Sequence, residues 1–299
     1  DMQLAFEETY KRTVTKIFPG KKKVILLDRG IMDVKAFVSR DDFNAILRKR
    51  GLNEVGLRDR YNGVIHLVTA ADGAIEFYSG ENNSARLETP EEALRFDHGI
   101  RESWLGHPHF KIIDNRTDFE GKIKRAFAAI SQILNIPTFV EKNDRFLVKD
   151  VDYKKLPVHQ NIQISEIYLR AKDRKEQVRI RKRGQNGSYL YFLTRKKINK
   201  ENESYIEEEE LITEQEFHTL KNLIDPKTTV VEKERICFLW NNQYFELDSY
   251  KGTNEGITIL EAKHVPTFIS IKKNITGDPK YSTRNMARKK TLNDKMLDC

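Results

Sequence analysis

The amino-acid sequence predicts two folds in one chain: a parallel α/β sheet, followed by an antiparallel β structure. Residues 1–138 alternate short apolar runs with amphipathic helices, which is typical of a parallel sheet. From residue 139 onward, apolar and charged residues alternate with a period of two, as in strands that have one polar face. A chain of 299 residues with 16 Phe and 11 Tyr is long and apolar enough for two cores. We therefore expect two domains, residues 1–138 and 139–299.

Three apolar runs in the first half predict buried parallel strands: KKKVILLD (21–28), GVIHLVTA (63–70) and FKIIDN (110–115). Helices are predicted at residues 2–16, 41–50, 89–104 and 118–134. The third of these helices has the strongest start signal, because the hydroxyl of Thr89 is followed by Pro90 and two glutamates.

The second half contains eight strand-like segments and one clear helix, at residues 213–224. The segments are FLVKDV (146–151), IQISEIYLRA (162–171), QVRIRKRG (177–184), SYLYFLTRKK (188–197), YIEEEE (205–210), ERICFLWNNQYFELDSY (234–250), ITILEAK (257–263) and FISIKK (268–273). Turn signals separate several of them, among them Asn241-Asn242. Long antiparallel strands that carry alternate charges favour a closed barrel with a polar interior.

Composition and charge exclude several classes of protein. No apolar run is long enough to span a membrane as a helix, and two cysteines cannot form a disulfide framework or a cysteine zinc site. We expect a reducing, intracellular setting. The net charge is +8, of which +2 lies in residues 1–138 and +6 in residues 139–299. This excess predicts an anionic ligand (phosphate, nucleic acid or a lipid head group) in the second half, with a solvated surface as the alternative.

Asp28 follows the first predicted strand, at the edge of a parallel sheet where ligands bind. Such a carboxylate can hold Mg²⁺ beside a nucleotide, and Arg29 could contact a phosphate; the alternative is that Asp28 caps a turn. A phosphate-binding loop of the form Gly-x-x-x-x-Gly-Lys-Ser/Thr is missing. The nearest spacing, Gly51 to Gly56, lacks the lysine and the hydroxyl. Either this half is not a nucleotide site, or the chain is a fragment that begins downstream of the loop.

Other polar residues of the first half have both a functional and a structural interpretation. Arg86, Arg95 and Arg101 could lie on a lid over a transferring phosphoryl group, or on a solvated helix with ion pairs. His107 and His109 predict a loop rather than a metal site, because no carboxylate or cysteine lies at ligand spacing nearby.

Basic and acidic side chains recur with a period of two on the predicted strands of the second half. The basic candidates for phosphate binding are Arg145, Arg179, Arg181, Arg183, Lys196, Lys233 and Arg235. The acidic candidates for metal binding are Glu141, Glu207, Glu209, Glu246, Asp248 and Glu261. Inside a closed barrel, unpaired like charges are costly, so a polyanion would match the basic cluster and a divalent cation the acids. The alternatives are an internal network of ion pairs and a solvated outer face.

The segment Glu141-Lys-Asn-Asp-Arg145-Phe-Leu-Val resembles the Glu-x-Glu-x-Lys opening strand of the CYTH, or triphosphate tunnel metalloenzyme, superfamily. The segments VRIRKRG, YFLTRKK and LEAK are similar to its later strands. VILLDRGIMD, YNGVIHLVTAADG and ESWLGHPHFKIIDN resemble the P-loop domain of the TRPL translocation defect protein family. The resemblance implies a P-loop NTPase-like domain of the AAA and nucleoside-kinase type, without its phosphate loop, followed by a CYTH-type eight-stranded tunnel barrel.

The resemblance also implies ligands and a cellular role. The first domain would bind GTP, or alternatively ATP, and the second a phosphoinositide or polyphosphate, with Mg²⁺ or Mn²⁺ as the cofactor. The candidate nucleotide-binding residues are Asp28, Arg29, Arg86, Arg95 and Asn115. The implied role is membrane-protein trafficking in the cytoplasm, with peripheral membrane contact and a membrane-protein cargo. Nucleic acid is not expected, because the basic residues point inward.

Two departures from the superfamily pattern concern the metal. Asn143 stands in place of the second glutamate of the opening motif, and Lys263 in place of a second acid after Glu261. Both changes weaken the binding of a divalent cation, which favours anion binding without turnover, and no catalytic residue is assigned. The alternatives are a metal-dependent triphosphatase or polyphosphatase, and a nucleoside or nucleotide kinase that uses the first domain.

Overall fold

A computed structural model describes residues 2–20, 23–78, 88–136, 143–171, 173, 176–198 and 205–289. Two parts of the chain differ in strand type, and we refer to them as the α/β region (residues 2–136) and the β region (residues 143–289). None of the helices in these described parts is both long and apolar enough to cross a membrane.

In the described residues, the α/β region contains five α-helices, two short 3₁₀ helices (Ile31–Ala36 and Ile75–Phe77) and a two-stranded parallel sheet. The α-helices are α1 (Met2–Ile17), α2 (Arg40–Arg50), α3 (Glu54–Arg58), α4 (Pro90–Ser103) and α5 (Phe119–Ile133). Strand β1 (Val64–Leu67) pairs with β2 (Phe110–Ile113). Helix α4 begins as predicted: the Thr89 hydroxyl accepts a hydrogen bond from the Glu92 amide at 3.2 Å, and the Glu92 carboxylate accepts one from the Thr89 amide at 3.0 Å.

The prediction of a first strand in this region, at residues 21–28, is wrong. Residues 23–28 form no strand, and the side chains of Val24, Ile25, Leu26 and Leu27 are 41–79% exposed. A strand that is apolar on both faces needs cover on both faces, and among the described residues the sheet of this region consists of β1 and β2 alone. Asp28 is therefore exposed, rather than placed at the end of a buried strand.

The β region is one antiparallel sheet of nine strands. The strands are β3 (Asp144–Val151), β4 (His159–Leu169), β5 (Glu176–Gln185), β6 (Ser188–Ile198), β7 (Tyr205–Ile212), β8 (Val231–Trp240), β9 (Gln243–Tyr250), β10 (Thr258–Ala262) and β11 (Ile269–Asn274). Their order across the sheet is β11-β3-β10-β9-β8-β4-β5-β6-β7. Helices α6 (Glu214–Lys221) and α7 (Thr283–Met286) complete this region.

This sheet confirms the predicted strands but differs from an eight-stranded closed barrel. The long segment 234–250 is a hairpin that turns at Asn241 and Asn242, both with positive φ, so it contributes to two strands. In the described part of the chain, the two outer strands, β7 and β11, do not pair with each other. Strand β7 carries four consecutive glutamates (207–210), and charged edge strands discourage further pairing. Among the described residues, β7 and β11 therefore each have one edge that no other strand pairs with.

Buried charges join the two regions. The guanidinium of Arg183, on β5, pairs with the carboxylate of Asp59 and donates to the carbonyl oxygen of Gly106. Asp59 also accepts a hydrogen bond from Arg58 Nε at 2.6 Å. Burial would raise the pKa of Asp59, but the two adjacent arginines lower it. Arg183 was predicted to bind phosphate. This prediction is wrong, because the Arg183 side chain is only 1% exposed and pairs with Asp59 in the interface.

A second contact lies at the β8–β9 hairpin. Arg101, on α4, donates to the side-chain oxygen of Asn242, and Asn242 donates to Asp72 at 3.0 Å. The ring of Tyr244 packs edge-on against Phe110, with 5.4 Å between the ring centroids. Arg101 is therefore a buried interface residue rather than part of a mobile lid.

His107 lies in the same interface and is fully buried. Its Nε2 donates to the carbonyl oxygen of Tyr61 at 3.0 Å, and its Nδ1 accepts from the amide of His109 at 3.0 Å. Burial lowers the pKa of His107 from 6.5 to about 4. The folded protein therefore holds this ring neutral, with both nitrogens used.

We predict that Arg183→Ala lowers the free energy of unfolding by about 3 kcal/mol or more, because it leaves Asp59 buried beside one cation fewer. Chemical denaturation measures the change. The control is Arg195→Ala on the neighbouring strand, whose half-exposed side chain lies 3.9 Å from Glu176. We expect a change within about 0.5 kcal/mol for the control. Equal losses for the two variants would contradict the interface assignment.

We also predict that His107 makes the protein sensitive to acid. The unfolded ring binds a proton near pH 6.5 and the folded ring near pH 4, so stability falls as the pH drops through this window. Between pH 7 and pH 4.5 the histidine accounts for a loss of about 2–3 kcal/mol. The loss in His107→Gln, which cannot titrate, should be smaller by that amount. Identical pH dependence in the two proteins would show that His107 does not contribute.

Candidate functional site

The concave side of the sheet forms a polar, partly open cavity of about 360 Å³. Strands β3 to β10 each contribute at least one side chain to it, and the start of α7 closes one side. The lining residues are Arg145, Tyr168, Gln177, Arg179, Thr194, Lys196, Glu207, Lys233, Arg235, Asp248, Tyr250, Glu261, Ser282, Thr283 and Arg284. Six of these are basic and three are acidic, so the lining has an excess of positive charge.

Asp248 is the central anion of the cavity. Its Oδ2 accepts hydrogen bonds at 2.8 Å from both Lys233 Nζ and Arg235 Nη2, and its Oδ1 accepts one from Arg235 Nε at 2.6 Å. The pKa of Asp248 is held far below its usual range by these two cations, although burial opposes the shift. Arg235 also pairs with Glu246 at 2.5 Å. Asp248 and Glu246 thus serve as counterions on β9.

A second anion, Glu166 on β4, lies beneath the lining. It is buried, and its carboxylate is 3.3 Å from Arg179 and 3.9 Å from Lys233. Burial would raise the pKa of Glu166, but Lys233 and Arg179 lower it. Sequence reasoning missed this residue. The available signal in the sequence was its position as a single carboxylate among the alternating apolar residues of β4. In the structure, Glu166 lies opposite Arg181 in the register.

The edge strand β7 brings a third anion to the cavity. Glu207 Oε1 accepts from Arg179 Nη2 at 2.9 Å, and its Oε2 is 3.6 Å from Lys196 Nζ. Two residues further on, both carboxylate oxygens of Glu209 accept from Arg181 Nη2, at 2.8 and 2.9 Å. Arg181 and Glu209 are outside the lining. Arg181 was predicted to bind phosphate, and the structure instead places it in this pair, with its guanidinium over the ring of Phe192.

Two basic groups of the cavity, Arg145 and Arg284, form no direct ion pair among the described residues, although Glu261 lies opposite Arg145 in the register of β3 and β10. Arg145 Nη2 donates to the carbonyl oxygen of Tyr281 at 3.1 Å. The guanidinium of Arg284 lies over the ring of Tyr168, 5.5 Å from its centroid. The sequence analysis identified Arg145 but not Arg284 or the lining tyrosines, Tyr168 and Tyr250, because these three residues lie outside the alternating basic pattern. Among the described residues, Arg145 and Arg284 are therefore the cations of the cavity that direct ion pairs do not compensate.

The predicted metal-binding carboxylates do not form a metal site as they stand. Glu141 lies outside the described residues, and four of the others (Glu207, Glu209, Glu246 and Asp248) are paired with arginine or lysine. Glu261 faces Glu246 across β9 and β10; partial burial of its carboxyl group and the charge of Glu246 raise the pKa of Glu261. Within the residues that the structure covers, no group of three acids, histidines or cysteines could hold an ion. In the described residues, these carboxylates therefore act mainly as counterions of arginine and lysine side chains.

The predicted nucleotide-binding residues have separate environments in the α/β region. Asp28 and Arg95 are exposed, and Arg29 lies 3.8 Å from Asp33. Asn115 donates to the carbonyl oxygens of Thr69 and Asp72, both at 2.7 Å, and so fixes the loop after β1. Arg86 lies outside the described residues. The structure therefore does not assemble a nucleotide site from these side chains.

A family model described as an AAA domain matches residues 1–122, which is less than half of the chain. No curated protein matches the chain. Among solved structures, the inorganic triphosphatase NE1496 is 22% identical, with 49% of this chain and 97% of that chain covered and a TM-score of 0.39. The protein PH1012 from Pyrococcus horikoshii OT3 is 23% identical, with 43% of this chain and 80% of that chain covered and a TM-score of 0.29.

We predict that Asp248→Asn lowers the free energy of unfolding by about 3 kcal/mol, because it leaves Lys233 and Arg235 adjacent without their shared counterion. Denaturant titration measures the change. The control is Glu234→Gln on β8, whose carboxylate pairs with Lys251 near the solvent. We expect less than about 0.5 kcal/mol for the control. An unchanged stability of Asp248→Asn would contradict the role of Asp248 as the central counterion.

Proposed function

We propose that this protein binds polyphosphate-type anions in the cavity of the β region. The ligand class comprises the triphosphate of a nucleotide, inorganic polyphosphate and multiply phosphorylated head groups such as those of phosphoinositides. The observation that carries the proposal is the convergence of six basic side chains on one polar cavity, where three acidic residues of the lining and two carboxylates behind it, Glu166 and Glu246, compensate them only in part. Charge-assisted hydrogen bonds from several arginines match the oxygens of neighbouring phosphates.

The free hydrogen-bonding capacity of the cavity supports the same ligand class. Arg145 and Arg284 form no direct ion pair in the described part of the chain, and Ser282 and Thr283 line the wall beside Arg284. A guanidinium has five N–H donors, so even the paired Arg179 and Arg235 can donate further bonds. A single phosphate would use only a fraction of these donors. A chain of phosphates, or several on one ring, would use more of them at once.

For the α/β region we propose nucleotide binding, with GTP or ATP as the ligand. The match of residues 1–122 to an AAA domain supports this part of the proposal. The wider role that we propose is peripheral contact with membranes that contain phosphoinositides, in the trafficking of a membrane protein. That role depends on the head-group chemistry of the β-region cavity.

A second candidate is a triphosphatase that uses Mg²⁺ or Mn²⁺. The observation in its favour is the pair of carboxylates, Glu246 and Glu261, that face each other on β9 and β10. Against it stands the pairing of Glu246 with Arg235. Binding without release of phosphate, in the presence of either metal, supports the first proposal; steady release supports the second.

We predict that Arg145→Ala and Arg284→Ala each weaken the binding of tripolyphosphate about tenfold, and the double variant more strongly. Isothermal titration calorimetry in the presence of EDTA measures the dissociation constants. Arg12→Ala, on the exposed face of α1, is the matched control and should leave the constant unchanged. Equal affinities for all variants, or no binding by the wild-type protein, would contradict the proposal.

A further inference from the structure

The edge strand β7 places a carboxylate where a ligand phosphate would lie. Glu207 reaches two cations of the cavity at once, at 2.9 Å from Arg179 and 3.6 Å from Lys196. Both cations and Glu207 itself line the cavity. A carboxylate that bridges two cationic groups presents two oxygens to the same donors that a phosphate group would use.

The surroundings of Glu207 differ from those of the other anions in the cavity. Glu166 is 5% exposed at its side chain and Asp248 12%, whereas Glu207 is 36% exposed. Glu207 also lies on an edge strand, which in the described residues pairs with β6 alone. The Glu207 carboxylate is already partly in contact with solvent, so its side chain can turn outward without unfolding a buried part of the sheet. Arg179 then keeps its contact with Glu166 at 3.3 Å.

From this arrangement, and on the basis of the proposed function, we infer that Glu207 is an internal competitor that sets the anion specificity of the cavity. A ligand must displace this carboxylate from Arg179 and Lys196 before it gains their hydrogen bonds. Anions of low charge, such as orthophosphate, gain too few contacts for the exchange. Tripolyphosphate and other anions with several phosphates also reach Arg145 and Arg284, and so displace Glu207.

This role of Glu207 is opposite in sign to that of a metal ligand. If Glu207 held a cation that bridges to phosphate, its removal would weaken binding. If it competes with phosphate, its removal strengthens binding. A loss of folding cannot imitate the second result, because a damaged cavity binds less tightly.

The test compares Glu207→Gln, Glu207→Asp and Glu208→Gln with the wild-type protein by titration with tripolyphosphate and with orthophosphate. Glu208 is the matched control: it is the next residue on the same strand, is exposed, lies opposite Arg195 in the register and is outside the lining. Its substitution changes the net charge by the same amount. Each titration is carried out once with EDTA and once with Mg²⁺, and thermal melting checks that every variant is folded.

We expect Glu207→Gln to bind tripolyphosphate about tenfold more tightly than the wild type in EDTA, as for removal of one close, partly solvated charge. Glu208→Gln should stay within about twofold of the wild type, because charges that point to the other face are screened. Glu207→Asp keeps the charge and should remain close to the wild type.

If Glu207→Gln binds tripolyphosphate as tightly as the wild type, or more weakly, the inference is overturned. If its binding is weaker only in the presence of Mg²⁺, Glu207 is instead assigned to a metal. Equal tightening in Glu207→Gln and Glu208→Gln would also overturn it, since net charge alone would then explain the effect. If neither the wild type nor Glu207→Gln binds tripolyphosphate, the proposed function itself fails. Binding by Glu207→Gln alone would support the competitor role in its strongest form.

Discussion

The structure depends on carboxylate counterions, because several neighbouring strands direct their cationic side chains into one cavity. Guanidinium and ammonium groups lose hydration when a curled sheet surrounds them, and they also repel each other. Asp248 is the counterion of Lys233 and Arg235, and the buried Glu166 is a counterion of Arg179. The compensation is incomplete. Among the described residues, Arg145 and Arg284 form no direct ion pair, so an anion is the natural complement of the cavity.

The same rule governs the contact between the two regions. Asp59 lies between Arg58 and Arg183, and the three side chains are almost completely buried. Strand β5 thus carries Arg179 in the cavity and Arg183 in the interface, four residues apart on one rigid element. The alternating arginines of β5 thus serve both the cavity and the interface, and the position of each arginine along the strand decides its partner.

The period-two pattern of the sequence predicted the strands of the β region and the face on which their charges lie. It could not predict which charge meets which, because pairing depends on the register of strands that are distant in the sequence. Arg181 and Arg183 have the same spacing as Arg179, yet one pairs with Glu209 and the other with the α/β region. Glu166 escaped notice because it is a single acid in an apolar strand. In the α/β region, residues 23–28 read as a buried strand, but burial requires neighbouring strands that composition alone does not reveal.

The central claim is that the concave face of the nine-stranded sheet, and not an outer surface, receives the phosphates. A crystal structure of the protein soaked with tripolyphosphate tests this claim most directly. The account predicts phosphate oxygens within hydrogen-bond distance of Arg145, Arg179 and Arg284, with the Glu207 carboxylate turned away from Arg179. Phosphate found only on outer lysines at saturating ligand, with the Arg179–Glu207 pair intact, would contradict it.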